Sequence, residues 1–181
     1  MPTINIKAAG FGGQGVMMFG KIIAYGAVDN KMNALWFPSY GPETRGGTAN
    51  CSVIVSDKNI DSPVFSKIDH LVVFNAPSLT KFESAVKNTG FVLYNADLIK
   101  ATAHSKSYGV PINSIAIKLG LPQAANMVMV GAYLELTNIF DQHIVEEVVK
   151  HILGERKAKF VPINMQAINE GRAFIKELIK K

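Results

Sequence analysis

Apolar residues recur along this chain in two rhythms. At the start, Ile4 and Ile6 alternate with Asn5 and Lys7, which predicts a strand over residues 3–9. Val16, Met17, Phe19, Ile22, Ile23 and Ala27 then fall near helical spacing and predict a helix over 14–30. Gly20 and Gly26 interrupt it, which suggests close packing of this helix against the sheet. A short strand follows over 33–37, stopped by Pro38, and "PSYGPETRGG" over 38–47 reads as a loop. Residues 48–55 form a β-rich run with Cys51, Val53 and Val55 on one face. "HLVVFN" at 70–75 is apolar nearly throughout, as a central parallel strand covered on both faces should be.

Pro77 and Ser78 open a predicted helix over 78–87, and "GFVLYN" at 90–95 repeats the buried strand. A last short strand is expected at 110–113. Residues 122–137 form a helix that is apolar almost all round, so it is either central to its own domain or buried by another chain. Residues 142–153 and 164–179 are amphipathic helices. Strands alternating with helices predict an α/β fold: a single domain over 1–181, with a mostly parallel sheet covered by helices and a Rossmann-like first strand–turn–helix.

Composition narrows the function classes. With 181 residues, 48% of them apolar, the chain suits one buried core. It has no uncharged apolar run long enough for a membrane span, and no secretion signal is read at its start. One cysteine, Cys51, forms neither an internal disulfide nor a metal site alone, and a cytoplasmic location is expected. The net charge of +5 lies wholly in residues 150–181, where eight Lys and Arg face three Glu. The lysines alternate with apolar residues at helical spacing without interleaved aromatics, so a solvated helix face is expected rather than a nucleic-acid surface.

Two stretches carry candidate chemistry. Gly10-x-Gly12-x-x-Gly15 follows the first strand with the spacing of a dinucleotide-binding turn, where glycines admit a ligand to the backbone and a helix N-terminus offers N–H groups to an anion. A nicotinamide enzyme also needs a carboxylate at the end of the second strand. Here that strand ends in Leu35-Trp36-Phe37-Pro38, and Asp29 sits before it. The dinucleotide reading therefore lacks its second half. The other stretch is "SYGPETRGGTANCS" at 39–52, where Arg45 has the fork geometry to grip a phosphate or carboxylate and Gly46 and Gly47 let another backbone approach. The competing reading is a tight turn into a strand. Cys51 reads as a packed thiol, and His70, His104, His143 and His151 are scattered rather than clustered.

"GFGGQGV", "WFPSYGPETRGGTANCSVIVS", "NMVMVGA" and "FVPINMQAINEGRAF", spanning about residues 10–174, together resemble the gamma subunit of 2-oxoacid:ferredoxin oxidoreductases. The resemblance implies a complex that oxidatively decarboxylates a 2-oxoacid, traps the acyl group on coenzyme A and reduces ferredoxin. It implies alpha and beta subunits holding thiamine diphosphate and Mg²⁺, with 4Fe–4S clusters on the beta subunit and on a ferredoxin-like delta subunit as a further partner. No catalytic or metal-binding residue is then expected on this chain. Its expected contribution is to assembly and to the coenzyme A site, through Gly12, Gly13, Gln14, Gly15, Ser39, Tyr40, Arg45, Gly46, Gly47 and Thr48. The "PSYGPETRGGTANC" block resembles the 2-oxoglutarate and branched-chain branches more than the pyruvate branch, which favours 2-oxoglutarate. Two other classes stay open: a freestanding NAD(P)-binding oxidoreductase, and a ligand-free interaction module that self-associates when isolated.

Overall fold

The computed structural model describes residues 3–39 and 49–180. Its strands are β1 (Ile4–Gly10), β2 (Asn33–Ser39), β3 (Ala49–Ser56), β4 (Ile68–Val73), β5 (Val86–Asn95) and β6 (Ser107–Val110). The helices are α1 (Val16–Asp29), α2 (Ala76–Phe82), α3 (Ile112–Lys118), α4 (Ala125–Thr137), α5 (Gln142–Leu153) and α6 (Val161–Leu178). The strands form one sheet in the order β2-β3-β1-β4-β5-β6.

From β1 outward through β4, β5 and β6 every pairing is parallel. On the other side β3 runs antiparallel to both β1 and β2. The mostly parallel expectation holds for that reason. What periodicity did not indicate is the strand inserted between β1 and β2. The segment joining β2 to β3 is too short for a helical crossover, so β3 folds back antiparallel beside β2. Pro38 does not stop β2, which continues to Ser39. β2 is an edge strand, where a residue without an N–H can sit facing outward.

The helix cover is lopsided. Ile6, Ala8, Cys51, Val53, Val55 and Leu93 face a large core built with residues of α1, α3, α4, α5 and α6. The opposite face holds a small core of Ala9, Leu71, Val73 and Val92 with Leu79 of α2. Residues 126–134 of α4 are all buried within this chain, against α6, α1 and α3, which decides between the two readings of that apolar helix. Gly20 meets the sheet as expected, since an added Cβ would lie 2.5 Å from Cys51 Sγ. Gly26 instead accommodates the ring of Phe140, beyond the end of α4.

Other boundaries moved for local reasons. Asn75 accepts from Ser78 N at 3.0 Å and starts α2 two residues before the expected helix. A short 3-10 turn over Glu83–Ala85 then leads into β5 at Val86. The strand expected at 110–113 is β6, ending at Val110, followed by α3. The Asp97 carboxylate accepts from Asn113 N at 2.7 Å and Ser114 N at 3.0 Å, a helix cap supplied from far back in the chain. The basic residues 150, 156, 157, 159, 176 and 180 are exposed, a solvated face as the spacing suggested.

Candidate functional site at the carboxyl edge of the sheet

The chain leaves β1 at Gly10 and turns into α1 through five residues. A Cβ on Gly10 would lie 2.8 Å from both Phe74 Cβ and Gln14 Oε1, so this position closes against the neighbouring β4 turn. Gly13 and Gly15 adopt φ of +90° and +78°, the left-handed region that glycine enters without steric cost. Gly15 is the N-cap of α1, and among the described residues no side chain caps that helix. Among the described residues nothing lies within 4 Å of where a Cβ on Gly12 or Gly13 would be.

Gln14 ties two turns together. Its Oε1 accepts from Phe11 N at 2.7 Å and Asn75 Nδ2 at 3.0 Å, and its Nε2 donates to Phe74 O at 3.4 Å. Asn75 caps α2, while Asn95 Nδ2 donates to Phe74 O at 3.3 Å. The carboxyl ends of β1, β4 and β5 are thus cross-linked by carboxamides. This is the point where the strand order reverses direction, the place at which open α/β sheets keep their sites.

Two clefts flank the turn, and Gly13 lines both. The first, about 240 Å³, lies between the turn and the starts of α3 and α4. Its polar wall is Gln14, Asn113, Gln123 and Asn126, with Ile117 and Phe74 among its apolar residues. The second, about 430 Å³, is bounded by Phe11, Met17, Met18, Lys21, Ala49 and Ile152. Lys21 Nζ lies 5.1 Å from the centre of the Trp36 ring, a cation resting on an aromatic face.

Of the residues singled out from sequence, Gly12, Gly13, Gln14 and Gly15 stand together at this edge. Ser39 ends β2, opposite Asn50, on a strand separated from β1 by β3, roughly 10 Å away at the usual strand spacing. Tyr40, Arg45, Gly46, Gly47 and Thr48 lie outside the described residues. Ala49, which follows them, pairs with Gly10 and lines the second cleft, so β3 begins at the glycine turn. Sequence reasoning missed Lys21, Asn75, Asn113, Gln123 and Asn126. Asn126 alone carried a signal, a carboxamide at the start of an otherwise apolar helix.

His70 on β4 is stacked on Phe91 at 4.2 Å, and its Nδ1 lies 2.8 Å from the Tyr133 hydroxyl. Burial lowers its pKa to about 4 and raises that of Tyr133 well above the usual value, so near neutrality the phenol can donate to an uncharged imidazole. Cys51 is fully buried, and burial above all pushes its pKa up to about 11. Among the described residues no three His, Cys, Asp or Glu come together as a metal site. No described helix is long and apolar enough to cross a membrane.

Residues 5–174 match the family model described as pyruvate ferredoxin/flavodoxin oxidoreductase. The chain belongs to this family. A 2-oxoglutarate synthase subunit KorC from Methanocaldococcus jannaschii is 36% identical over 181 residues, covering 96% of this chain and 95% of the relative. A ketoisovalerate oxidoreductase subunit VorA from Methanothermobacter thermautotrophicus is also 36% identical over 99% of this chain, but the chain spans only 38% of that relative. Among solved structures, the gamma subunit of a keto/oxoacid ferredoxin oxidoreductase from Geobacter sulfurreducens superposes with a TM-score of 0.81 at 28% identity, covering 96% of this chain and 99% of that one. A 2-oxoglutarate:ferredoxin oxidoreductase from Magnetococcus marinus, with 2-oxoglutarate, coenzyme A and succinyl-CoA bound, shares the fold at a TM-score of 0.86. Its identity is 22%, over 98% of this chain and 32% of that one. Within the pyruvate ferredoxin/flavodoxin oxidoreductase family the same domain therefore occurs both as a chain of this length and as a third or so of a longer one.

Proposed function

We propose that this chain is the gamma subunit of a 2-oxoacid:ferredoxin oxidoreductase, with 2-oxoglutarate as the favoured substrate. The observation that carries the reading is extent: the chain is matched nearly end to end by a 2-oxoglutarate synthase subunit and by a separately folded gamma subunit. The ketoisovalerate relative is equally identical but much longer, and the pyruvate synthase subunit PorC of Methanocaldococcus jannaschii is 29% identical. Thiamine diphosphate and Mg²⁺ belong in this reading to alpha and beta partners, 4Fe–4S clusters to the beta and ferredoxin-like partners, and ferredoxin takes the electrons released on decarboxylation. The gamma chain supplies one wall of the coenzyme A site at the glycine turn, where the uncapped N-terminus of α1 and Lys21 favour an anion.

A freestanding dinucleotide enzyme fits the geometry less well. The ribose-binding carboxylate of such enzymes stands at the end of the strand next to β1, and here β3 occupies that place antiparallel, with its amino end at the site.

Co-expression of this chain with thiamine-diphosphate and iron–sulfur partner subunits tests the reading. The expected result is a complex that reduces ferredoxin and forms acyl-CoA fastest from 2-oxoglutarate in a panel with pyruvate and ketoisovalerate. A chain that ignores such partners, or that binds NAD(H) or NADP(H) saturably when alone, would overturn it. A preference for ketoisovalerate would overturn the substrate only.

A further inference from the structure

Three strands set a row of side chains across the sheet, on the face turned away from the large core. Phe37 of β2 pairs with Ser52 of β3, and Ser52 pairs with Lys7 of β1. Paired positions point to the same face, so the three stand abreast. Phe37 is 50% exposed and Ser52 is buried, and Lys7 Nζ donates to Ser52 Oγ at 3.1 Å. Leu35, paired with Ile54, lies on the same face two residues along β2. α1, which packs on β2 and β3, lies on the large-core side. Among the described residues the helix cover on this face is α2, over β1 and β4.

Lys7 is a half-buried cation in the middle of this face. Its Nζ lies 5.2 Å from the centre of the Phe82 ring, and Lys81 Nζ lies 5.6 Å from the same ring. Burial lowers the pKa of Lys7, and the nearby Lys81 charge adds to the fall. Among the described residues no carboxylate forms an ion pair with Lys7, which is held by a hydroxyl and the face of a ring. An ammonium that has lost part of its hydration in this way is best compensated by a carboxylate, which also offsets the repulsion from Lys81. The side chains around it, Phe37, Leu35 and Phe82, are apolar.

We propose that this face docks a partner subunit, whose Asp or Glu meets Lys7 while apolar side chains around that carboxylate cover Phe37 and Leu35. This rests on the subunit reading above and gives it a contact surface on this chain. Charge argues against a second copy as the occupant. A twofold contact centred on this row would turn Lys7 and Lys81 toward their own images, cation against cation. A different chain that presents one carboxylate within an apolar patch complements both the charge and the exposed ring.

The test uses the full chain co-expressed with its partner subunits, carrying Lys7→Met, Lys7→Arg or Phe37→Ser, with affinity read by sedimentation. Lys7→Met should weaken assembly about tenfold or more, and Lys7→Arg should stay close to the native value. Phe37→Ser should weaken it about fivefold. In the chain alone, Lys7→Met should melt no lower than the native protein, because it keeps the stem and removes a half-buried charge. Equal losses of melting temperature and assembly would make Lys7 a residue of the fold and overturn the proposal. Zero-length carbodiimide cross-linking of the native complex should join Lys7 Nζ to an Asp or Glu of a partner. A link to a second copy of this chain would overturn the proposal. A native chain that engages no partner subunit would overturn the subunit reading and this proposal with it. Assembly indifferent to Lys7→Met and Phe37→Ser would overturn the proposal alone.

Discussion

Gly131 of α4 and Gly171 of α6 bring two helix backbones into contact. A Cβ on Gly131 would lie 1.9 Å from Ile168 O, and one on Gly171 would lie 2.0 Å from Val128 O. Each glycine thus sits against the other helix's carbonyls, and neither carbonyl can yield without moving its helix. This crossing holds α6 onto the layer that covers the sheet.

Gly131→Ala and Gly171→Ala should each lower stability by about 2 kcal/mol, since overpacking costs more than the helix propensity that alanine adds. Chemical denaturation measures both. The double variant should lose less than the sum, because helices already pushed apart admit the second methyl more cheaply. Unchanged midpoints would mean that the two helices do not cross this closely.

His70 should make the fold acid-sensitive over a defined window. Its pKa falls from 6.5 to about 4 mainly through burial; Asp69 opposes the fall and Lys106 adds to it. Below pH 6.5 the unfolded chain binds a proton that the native chain refuses until about pH 4. The contribution of the neutral ring is therefore complete above pH 6.5 and is lost as pH falls toward 4, up to about 3 kcal/mol. Urea midpoints measured from pH 7 to 4.5 should drop for the native chain and stay flatter for His70→Phe. Equal slopes in both would remove His70 as the cause.

Cys51 should be silent to thiol reagents in the native state. It is fully buried, its Sγ lies 3.6 Å from Val16 O, and burial pushes its pKa up to about 11. At pH 8, modification by a water-soluble disulfide reagent should follow the unfolding rate and become immediate in guanidinium. Rapid native labelling would show that α1 lifts readily from the sheet.

Asp97 should link the stability of α3 to the first cleft. Its Oδ2 accepts from Asn113 N and Ser114 N, and its Oδ1 from Ser114 Oγ at 2.5 Å. Asp97→Ala should cost about 1 kcal/mol, as lost helix caps do. Hydrogen exchange should quicken along α3, which carries Asn113 and Ile117 of the cleft wall, and remain unchanged in α5. A uniform change would indicate general destabilisation instead.

Local features of this protein can be read from the order of its residues. Alternation of Ile4 and Ile6, the helical spacing after Gly15, and the glycines of the β1 turn each act over a few residues, so periodicity and backbone freedom suffice to read them. The α/β class and the family blocks were legible for the same reason. Features that depend on which distant segments meet arise only in the packed fold. The insertion of β3 between β1 and β2 follows from strand pairing, and no single segment's pattern encodes its partner. The start of α3 depends on a carboxylate far back in the chain. The amide cleft exists because Asn126, Asn113 and Gln14, remote in sequence, converge where β1 and β4 end. α4 is buried within this chain, rather than by a partner, because α6 lies on it. An apolar helix states that it must be covered, and only the packed fold says by what.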